Sequence, residues 1–278
     1  MGGRDISVAV TPNGHADAVT CGQDGITYFA EPHVQKTTMS SLLSTLSAPE
    51  TCDEVQYLQS QNGNIYSAAF FENEGQDQKD DSEFAVLRPD VPSEIPWCSE
   101  TFGKHPDAVN VWIGNEKSVT SIHSDPYENI YTVVRGAKHF LLLSPTDGWC
   151  LEERKYPHAT YMKHSDGSLR LSPSASNYPQ IRWSSVTNPH IPGILPSSVH
   201  PFHITLEAGD SLYLPAGWWH HVRQSNLTIA LNWWYDLEYR GMQWILLSFL
   251  RGTEDVPDGN DRQGISDGKT RTLQAPCT

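Results

Sequence analysis

The sequence predicts a mainly β domain, either a barrel or a jelly roll, from three observations. Short strand-forming stretches separated by turns fill the middle of the chain, little helix lies between them, and no internal repeat is present. The eight predicted strands cover residues 109–114, 118–125, 129–134, 137–143, 202–207, 211–214, 219–224 and 228–235. The simplest organisation is one domain over residues 1–251, with a barrel core at about 109–236.

The segments around these strands are predicted from their own patterns. Residues 36–46 and 237–250 carry apolar side chains at helical spacing, which predicts one helix on each side of the strands. The stretch 145–201 is rich in Pro, Ser and Asn and is predicted to be a long insertion between two barrel strands. The acidic run 72–83 is predicted to be a solvated loop, and residues 252–278 a disordered tail.

Composition limits the possible partners and compartments. A net charge of −14 over 278 residues argues against a nucleic-acid groove and is compatible with a cationic protein partner. No segment has the apolar length of a membrane span. The five scattered cysteines form no CxxC pair, so neither a zinc knuckle nor a disulfide framework is expected. These features favour a reducing compartment, the cytoplasm and also the nucleus.

A metal site is the first chemical hypothesis. His123 and Asp125 are two residues apart in a predicted strand, so their side chains share one face. His220 lies on a late strand that a barrel brings beside the early ones. Two imidazoles and one carboxylate on one side of a metal form the facial triad of non-haem iron oxygenases. The alternative for His220 is an ordinary core histidine, and alternation requires that His220 and His221 face opposite ways.

Lys138 suggests an anionic ligand. It lies in the otherwise apolar stretch AKHFLLL, and fully buried lysines are rare unless they are paired with a negative charge. If its side chain faces the interior, the expected partner is a small anionic molecule. The alternative is a lysine at a strand end in solvent.

Longer motifs resemble a known family. The strings HSDPYENIYTVVRGAKHFLLLSP and GDSLYLPAGWWHHVRQSNLTIALNWWYD resemble the JmjC domain of Fe(II)- and 2-oxoglutarate-dependent oxygenases, and ISVAVTPNGHADAV, VQYLQSQ and PDAVNVWIG extend the likeness from Asp5 to about Leu250. The resemblance implies a double-stranded β-helix, a jelly-roll or cupin-like barrel. Family members usually carry a longer segment before the ISVAV motif, whereas here Met1 begins almost at it. That departure is expected to bear on stability, on dimer contacts made by the segment and on activity, but not on the metal residues.

The resemblance also implies the residues of the active site. The first histidine of the family's W-H-H motif is the ligand, so His123, Asp125 and His220 are expected to bind Fe(II) and carry catalysis, while His221 points away. Nickel, manganese or zinc commonly stand in for iron in such a site. Tyr127 lies where family members meet their peptide substrate, as does Glu128.

Six further residues are implied to bind the co-substrate 2-oxoglutarate: Lys138, Thr120, Tyr57, Asn129, Asn232 and Trp234. Lys138 is implied to bind the distal carboxylate, with help from Thr120 and Tyr57. The two asparagines match residues near the metal-proximal end of the co-substrate, and Trp234 matches an aromatic beside the iron. For Tyr57 and Trp234 the alternative is an ordinary place in the barrel core.

The activity implied is hydroxylation of a lysine side chain of a partner protein, such as a translation-associated GTPase. One alternative is demethylation of methyl-lysine in histones, although demethylases of the family more often carry HxE than the HxD found here. A second alternative is a non-catalytic cupin-like interaction module. Neither nucleic acid nor membrane is expected as a partner. A homodimer through Trp244, Ile245 and Phe249 is also predicted, although burial within one monomer explains these residues as well.

Overall fold

The computed structural model describes residues 2–48, 54–61, 63–72, 82–236, 242–252 and 256–261. The protein is mainly β, as predicted, and its principal sheet curls into a half-barrel consistent with a jelly roll. The strands are β1 (Asp5–Thr11), β2 (His15–Ala16), β3 (Ala18–Cys21), β4 (Thr27–Glu31), β5 (His33–Thr38), β6 (Val55–Tyr57), β7 (Tyr66–Ser67), β8 (Ala108–Gly114), β9 (Val119–Ser124), β10 (Glu128–Leu143), β11 (Arg154–Tyr156), β12 (His158–Lys163), β13 (Leu169–Pro173), β14 (Ile181–Trp183), β15 (Phe202–Glu207), β16 (Ser211–Leu214) and β17 (Trp219–Tyr235). The helices are α1 (Met39–Ser47), α2 (Ala68–Glu72), α3 (Pro96–Phe102) and α4 (Met242–Arg251), with 3-10 turns at Ala85–Asp90 and Pro145–Leu151.

Two long antiparallel strands, β10 and β17, form the centre of the principal sheet. They pair with each other along nearly their whole length. The strand order of the sheet is β15-β10-β17-β8-β7. In addition, β16 pairs with β10, β9 pairs with β17, and β2 pairs with β9. The sequence predicted two strands in place of each. The turn-like Arg135-Gly136 is instead a pair of register shifts inside one strand, where Gly136 adopts a φ of 75°. A bulge of this kind lets the ladder continue, so a local glycine does not end the strand.

The first helix begins three residues later than predicted. Lys36 and Thr37 belong to β5, where they pair with β1, and α1 starts at Met39. Thr38 caps the helix because its hydroxyl accepts a hydrogen bond from the Ser41 amide at 3.2 Å. Strand pairing therefore takes the residues that helical spacing alone had assigned to α1. Leu42 is fully buried on the inner face of the helix.

The insertion at 145–201 contributes two strands to a second sheet. Strands β12 and β13 join β4 and β3 in a four-stranded sheet with the order β13-β12-β4-β3. The link between the two halves of the chain is parallel, and it pairs His158 with Phe29 and Ala159 with Ala30. The N-terminal strands and these insertion strands were not predicted, because neither half shows a clear alternating pattern without its distant partner.

The chain after the barrel is only partly described. In the predicted C-terminal helix, α4 covers Met242–Arg251, and residues 237–241 lie outside the described residues. Ile245 and Phe249 are 55% and 78% exposed, so burial within the monomer does not explain them, and the homodimer stays a prediction. The side chain of Trp244 is outside the description. None of the described helices has the length and apolar character needed to cross a membrane.

Part of the predicted disordered tail lies against the domain. Within residues 256–261, the Gly259 amide donates to the Lys155 carbonyl at 2.8 Å, and Asn260 exchanges hydrogen bonds with the Thr27 backbone. These contacts hold residues 256–261 against β11 and β4. Residues 253–255 and 262–278 lie outside the described residues, so for them the tail stays a prediction.

The described cysteines include both free thiols and a disulfide-bonded residue. Cys98 and Cys150 are buried free thiols, whereas Cys21 is disulfide-bonded. The sequence predicted no disulfide framework, and it gave no sign of the disulfide at Cys21. Sequence spacing could not show this, because disulfide formation depends on which cysteines the fold brings together.

Candidate metal centre and its cavity

Two neighbouring strands bring three possible metal ligands together. The antiparallel register of β9 and β17 places His123 opposite His220, and their ring centroids are 4.2 Å apart. Asp125 follows β9 directly, and its Oδ2 lies 3.7 Å from His123 Nε2 and 3.6 Å from His220 Nε2. The three side chains therefore converge on one point, as the spacing of His123 and Asp125 on one strand face predicted.

Backbone carbonyls orient both imidazole rings. His123 Nδ1 donates to the Ser121 carbonyl at 2.8 Å, and His220 Nδ1 donates to the Trp218 carbonyl at 3.1 Å. A proton held on Nδ1 leaves the Nε2 lone pair free to bind a metal. The Asp125 backbone is held as well, because its carbonyl accepts the Gly217 amide at 2.8 Å.

The donor set fits a divalent transition metal. Within the described part of the chain, His123, Asp125 and His220 are the group of at least three such side chains whose ligand atoms all lie within 4.8 Å of one another. Two neutral imidazoles and one carboxylate suit iron(II) and related ions, and a facial arrangement leaves coordination positions open.

The two adjacent histidines of β17 face opposite ways. His220 lines the cavity, and burial beside His123 lowers its pKa to about 4. His221 faces a separate cluster, where its Nδ1 lies 3.3 Å from His190 Nε2, and burial lowers its pKa to about 3. Strand alternation required this division, and the structure selects His220 as the histidine beside His123 and Asp125.

A cavity of about 350 Å³ adjoins these three side chains. Its wall includes every residue that the resemblance assigned to the metal or the co-substrate: His123, Asp125, His220, Lys138, Thr120, Tyr57, Asn129, Asn232 and Trp234. These residues come from strands β6, β9, β10 and β17 and from the loop after β9. The structure therefore brings all nine predicted site residues to one place.

The deep end of the cavity, defined here by Lys138, Tyr57 and Thr120, holds a buried ammonium group. Lys138 is 2% exposed, and its Nζ donates to the Tyr57 hydroxyl at 3.2 Å. Burial lowers the pKa of Lys138 to about 7. Among the described residues no carboxylate pairs with it. The solvent-exposed alternative is therefore wrong, and the deep end fits an anionic ligand that supplies the missing negative charge.

Asparagine side chains next to the metal centre are held by a hydrogen-bond network. The Asn232 amide group donates to Asn129 Oδ1 at 3.2 Å. Its carbonyl oxygen accepts from Trp112 Nε1 at 2.9 Å and from Asn110 Nδ2 at 3.2 Å. Asn232 thus has a fixed orientation, which a residue that positions a small ligand requires.

Trp234 is both a core aromatic and a wall of the cavity. It is 6% exposed, its ring stacks on Tyr127 with centroids 5.2 Å apart, and its buried indole N–H has no hydrogen-bond partner among the described residues. Tyr57 is similarly buried at 7%. For both aromatics, a place in the barrel core and a place in the cavity wall are therefore compatible.

Glu128, predicted to lie where a peptide substrate binds, forms a hydrogen bond within the domain instead. Its carboxylate accepts a hydrogen bond from the Tyr213 hydroxyl at 2.6 Å.

Several cavity residues were missed by sequence reasoning, and four of them lie together. Asp17, Glu31, Phe29 and Trp183 line the same cavity, and these four residues define its outer end. Glu31 and Phe29 lie on β4, Trp183 lies on β14, and Asp17 directly precedes β3. Asp17 stands in the quoted motif ISVAVTPNGHADAV, but its place beside the metal centre depends on strand pairings that the sequence does not reveal.

Known proteins share most of this chain. A family model described as a cupin-like domain matches residues 1–241. The human "Bifunctional peptidase and (3S)-lysyl hydroxylase JMJD7" is 37% identical over 243 residues, covering 86% of this chain and 70% of that protein. "Lysine-specific demethylase JMJ32" of Arabidopsis thaliana is 36% identical over 260 residues, covering 88% and 70%. "JmjC domain-containing protein E" of Dictyostelium discoideum is 31% identical over 277 residues, covering 90% and 74%.

Proposed function

The chain belongs to the JmjC family of cupin-like oxygenases, and on that premise we propose that it hydroxylates a lysine side chain of a partner protein, using Fe(II) and 2-oxoglutarate. One observation carries the proposal. The same cavity contains a convergent His123, Asp125 and His220 group and a buried Lys138 without an anionic partner. A metal ion and a dicarboxylate together satisfy both features.

His123, Asp125 and His220 would hold the iron, with their geometry set by the β9–β17 pairing and the Nδ1 hydrogen bonds. Fe(II) bound there, with 2-oxoglutarate and O₂, supplies the oxidising power that inserts one oxygen atom into a C–H bond. The protein contributes position and a shielded environment.

At the deep end, Lys138 would bind the distal carboxylate of 2-oxoglutarate through a charge-assisted hydrogen bond. Tyr57 already contacts Lys138, and it also hydrogen-bonds Thr120, so the three polar groups form one anion-binding surface. Phe140 and Val222 line the cavity and limit access of water to this pair. Such pairing is strong because the surroundings are apolar.

Asn129 and Asn232 would contact the metal-proximal end of the co-substrate, because their amides lie in the cavity wall and are fixed by one another. The free indole N–H of Trp234 offers a further donor there. The ordered network restricts the ligand to one orientation, which is a condition for directed oxidation.

A lysine of a protein partner is the finer part of the proposal. It is supported by the name and 37% identity of the human relative and by the net charge of −14, which suits a cationic target. Translation-associated GTPases are the candidate partner class.

The test combines mass spectrometry with co-substrate turnover. Purified protein is incubated with Fe(II), 2-oxoglutarate and peptides from candidate partners, with the Asp125→Ala variant as the control. The expected product carries the mass of one added oxygen atom on lysine, with succinate formed in equal amount. Unmodified peptides across a broad lysine panel, despite 2-oxoglutarate binding, would refute the lysine assignment.

Demethylation of methyl-lysine is the second candidate, and the 36% identity to a plant protein named as a lysine-specific demethylase favours it. The same oxidation on an N-methyl group releases formaldehyde. Formaldehyde formed from methylated peptides, without oxygen retained on the unmethylated ones, would support demethylation over hydroxylation.

A further inference from the structure

The outer end of the cavity contains two carboxylates on adjacent chain segments. Ala18 of β3 pairs with Ala30 of β4, and Asp17 and Glu31 flank that pair at the same end. Both line the cavity that also contains His123. Like charges at neighbouring positions of an antiparallel pair destabilise the sheet.

Nothing in the described structure neutralises these two carboxylates with a fixed cation. Gln59 donates a hydrogen bond to Asp17 at 2.9 Å, and no described lysine or arginine pairs with Asp17 or Glu31. His158 Nε2 lies 3.4 Å from Glu31 Oε1, on a ring that is 7% exposed, and this buried nitrogen makes no hydrogen bond. Burial and the charge of Glu31 raise the pKa of Asp17 to about 6. The local charge is thus unfavourable without a ligand.

The backbone at Asp17 adopts a left-handed conformation. Its φ of 51° lies in the left-handed region, which L-residues other than Asn and Asp rarely adopt. Asp17 stands where the chain passes from β2, which pairs with β9, into β3 of the four-stranded sheet.

An aromatic wall joins the outer end to the metal centre. The Trp183 ring stacks on His123, with ring centroids 5.8 Å apart and planes at 12°. The centroids of the Trp183 and Phe29 rings are 4.7 Å apart. Trp183 Nε1 donates to Ser121 Oγ at 3.2 Å, and Ser121 Oγ donates to the Asp17 carbonyl at 2.7 Å. Asp17 is therefore tied to the strand that carries His123. Aromatic faces next to carboxylates suit an organic cation.

We infer that Asp17 and Glu31, with Trp183 as the aromatic wall, form a subsite for the side-chain ammonium group of the substrate. The inference rests on the proposed function and deepens it, because it names the residues that select an unmodified lysine. The two ends of the cavity then have opposite tasks. Lys138 receives an anion, and the outer end receives a cation next to the metal centre.

The test measures binding without turnover. The protein is loaded with Mn(II) and 2-oxoglutarate under nitrogen, and titrated with peptides that contain lysine, Nε-acetyl-lysine or Nε-trimethyl-lysine in one sequence. Asp17→Asn and Glu31→Gln remove charge while keeping shape, and Asn tolerates the positive φ at position 17. Glu207→Gln, an exposed carboxylate outside the cavity wall, is the matched control.

We expect the lysine peptide to bind more tightly than the other two peptides. Each cavity variant should weaken its binding by about ten- to a hundredfold, the effect of losing a hydrogen bond to a charged group, while Glu207→Gln changes nothing. Affinity for 2-oxoglutarate should stay at the wild-type level in all variants. Unchanged lysine-peptide binding in both cavity variants, no detectable lysine-peptide binding by the wild type, or tighter binding of the acetylated or trimethylated peptide would overturn the inference.

The two proposals fail in different ways. If the protein does not bind 2-oxoglutarate or does not hydroxylate any peptide, the proposed function fails. The ammonium subsite is still tested by the difference in binding between the lysine peptide and its acetylated copy. If hydroxylation occurs but is insensitive to Asp17→Asn and Glu31→Gln in KM, the subsite fails alone.

Discussion

The two ends of the cavity carry side chains of opposite charge and differ in how deeply those side chains are buried. At the deep end a single ammonium group, on Lys138, is 2% exposed and contacts a neutral hydroxyl. At the outer end two carboxylates share a half-open site, where the Glu31 side chain is 48% exposed. A closed site suits a small ligand of fixed shape, and an open site suits one residue of a larger partner. On our proposal, this difference in burial assigns the co-substrate to the deep end and the substrate to the outer end.

The largest expected effect comes from the metal centre, which lies between the two ends. His220→Ala should lower turnover by more than about 100-fold, because loss even of a residue that supports a metal ligand costs about 10–100-fold. The measurement is succinate formation together with Mn(II) binding by titration. The neighbouring His221 is the matched control, and His221→Gln should retain most of the activity since its ring faces His190. Equal losses in both variants would contradict the assignment of His220.

The second effect separates the two ends directly. Lys138→Met should weaken 2-oxoglutarate binding by at least about tenfold, since a charge-assisted hydrogen bond contributes about 1.5–3 kcal/mol. Glu31→Gln should leave that affinity unchanged. Calorimetric titration of the Mn(II) form under nitrogen measures both. If the two substitutions weaken binding equally, the separation of anion and cation ends is wrong.

Lys138→Met should also leave the free energy of unfolding unchanged or raise it. The pKa of Lys138 is about 7 in the folded protein and about 10.4 in the unfolded chain, so the unfolded state binds the extra proton between these values. The ammonium therefore lowers stability as pH falls from about 10.4 towards 7. Methionine removes that penalty. Denaturant unfolding at about pH 7.5 checks the sign.

The third effect is a pH dependence of the deep end. In the empty cavity Lys138 loses its proton above about pH 7, and Tyr57 and Tyr131, whose pKa values burial raises, stay neutral. Binding of a carboxylate restores the ammonium, so it takes up a proton. We expect 2-oxoglutarate affinity to fall by up to about tenfold per pH unit above about pH 7. Titration from about pH 6 to 9 in two buffers of different ionisation enthalpy tests this, and a flat profile would contradict it.

The smallest effect concerns stability at the outer end. Asp17 has a folded pKa of about 6, above the value of about 3.9 for the unfolded chain, so its ionised form destabilises the fold at neutral pH. That penalty grows between about pH 4 and 6. Asp17→Asn should therefore raise the free energy of unfolding by about 1 kcal/mol at about pH 8, after allowance for solvent screening, and by nothing near pH 4. Thermal unfolding at both pH values distinguishes this from a gain that does not depend on charge.

Most of the central sheet could be predicted from the sequence. Strands β15 and β16 have the predicted bounds, and β8 and β9 differ from theirs by no more than one residue at either end. Their apolar runs are local signals, so they do not depend on knowledge of a partner. Predictions were poorer where pairing overrides local propensity, as at Lys36, which is drawn into β5, and at Gly136, which is absorbed as a bulge inside β10.

The sequence by itself determined which side chains could carry the proposed chemistry. The HxD spacing, the distant WHH motif and a lysine inside an apolar strand predicted His123, Asp125 and Lys138 as site residues and left two candidates for the third ligand. The motifs also resembled one family, and the comparisons confirm it. Side-chain type and short spacing suffice for such signals, because they depend only on strand periodicity.

Only the tertiary structure decided which distant segments share the cavity. The parallel pairing of β12 with β4 completes a second sheet, whose Phe29 and Glu31 line the cavity, and the junction before β3 places Asp17 beside Glu31. No local pattern encodes these contacts, since each joins residues whose own strands are short and only marginally apolar. The free energy that stabilises these contacts comes from strand pairing and burial across the whole domain. The outer end of the cavity therefore could not be predicted from the sequence and was found only in the tertiary structure.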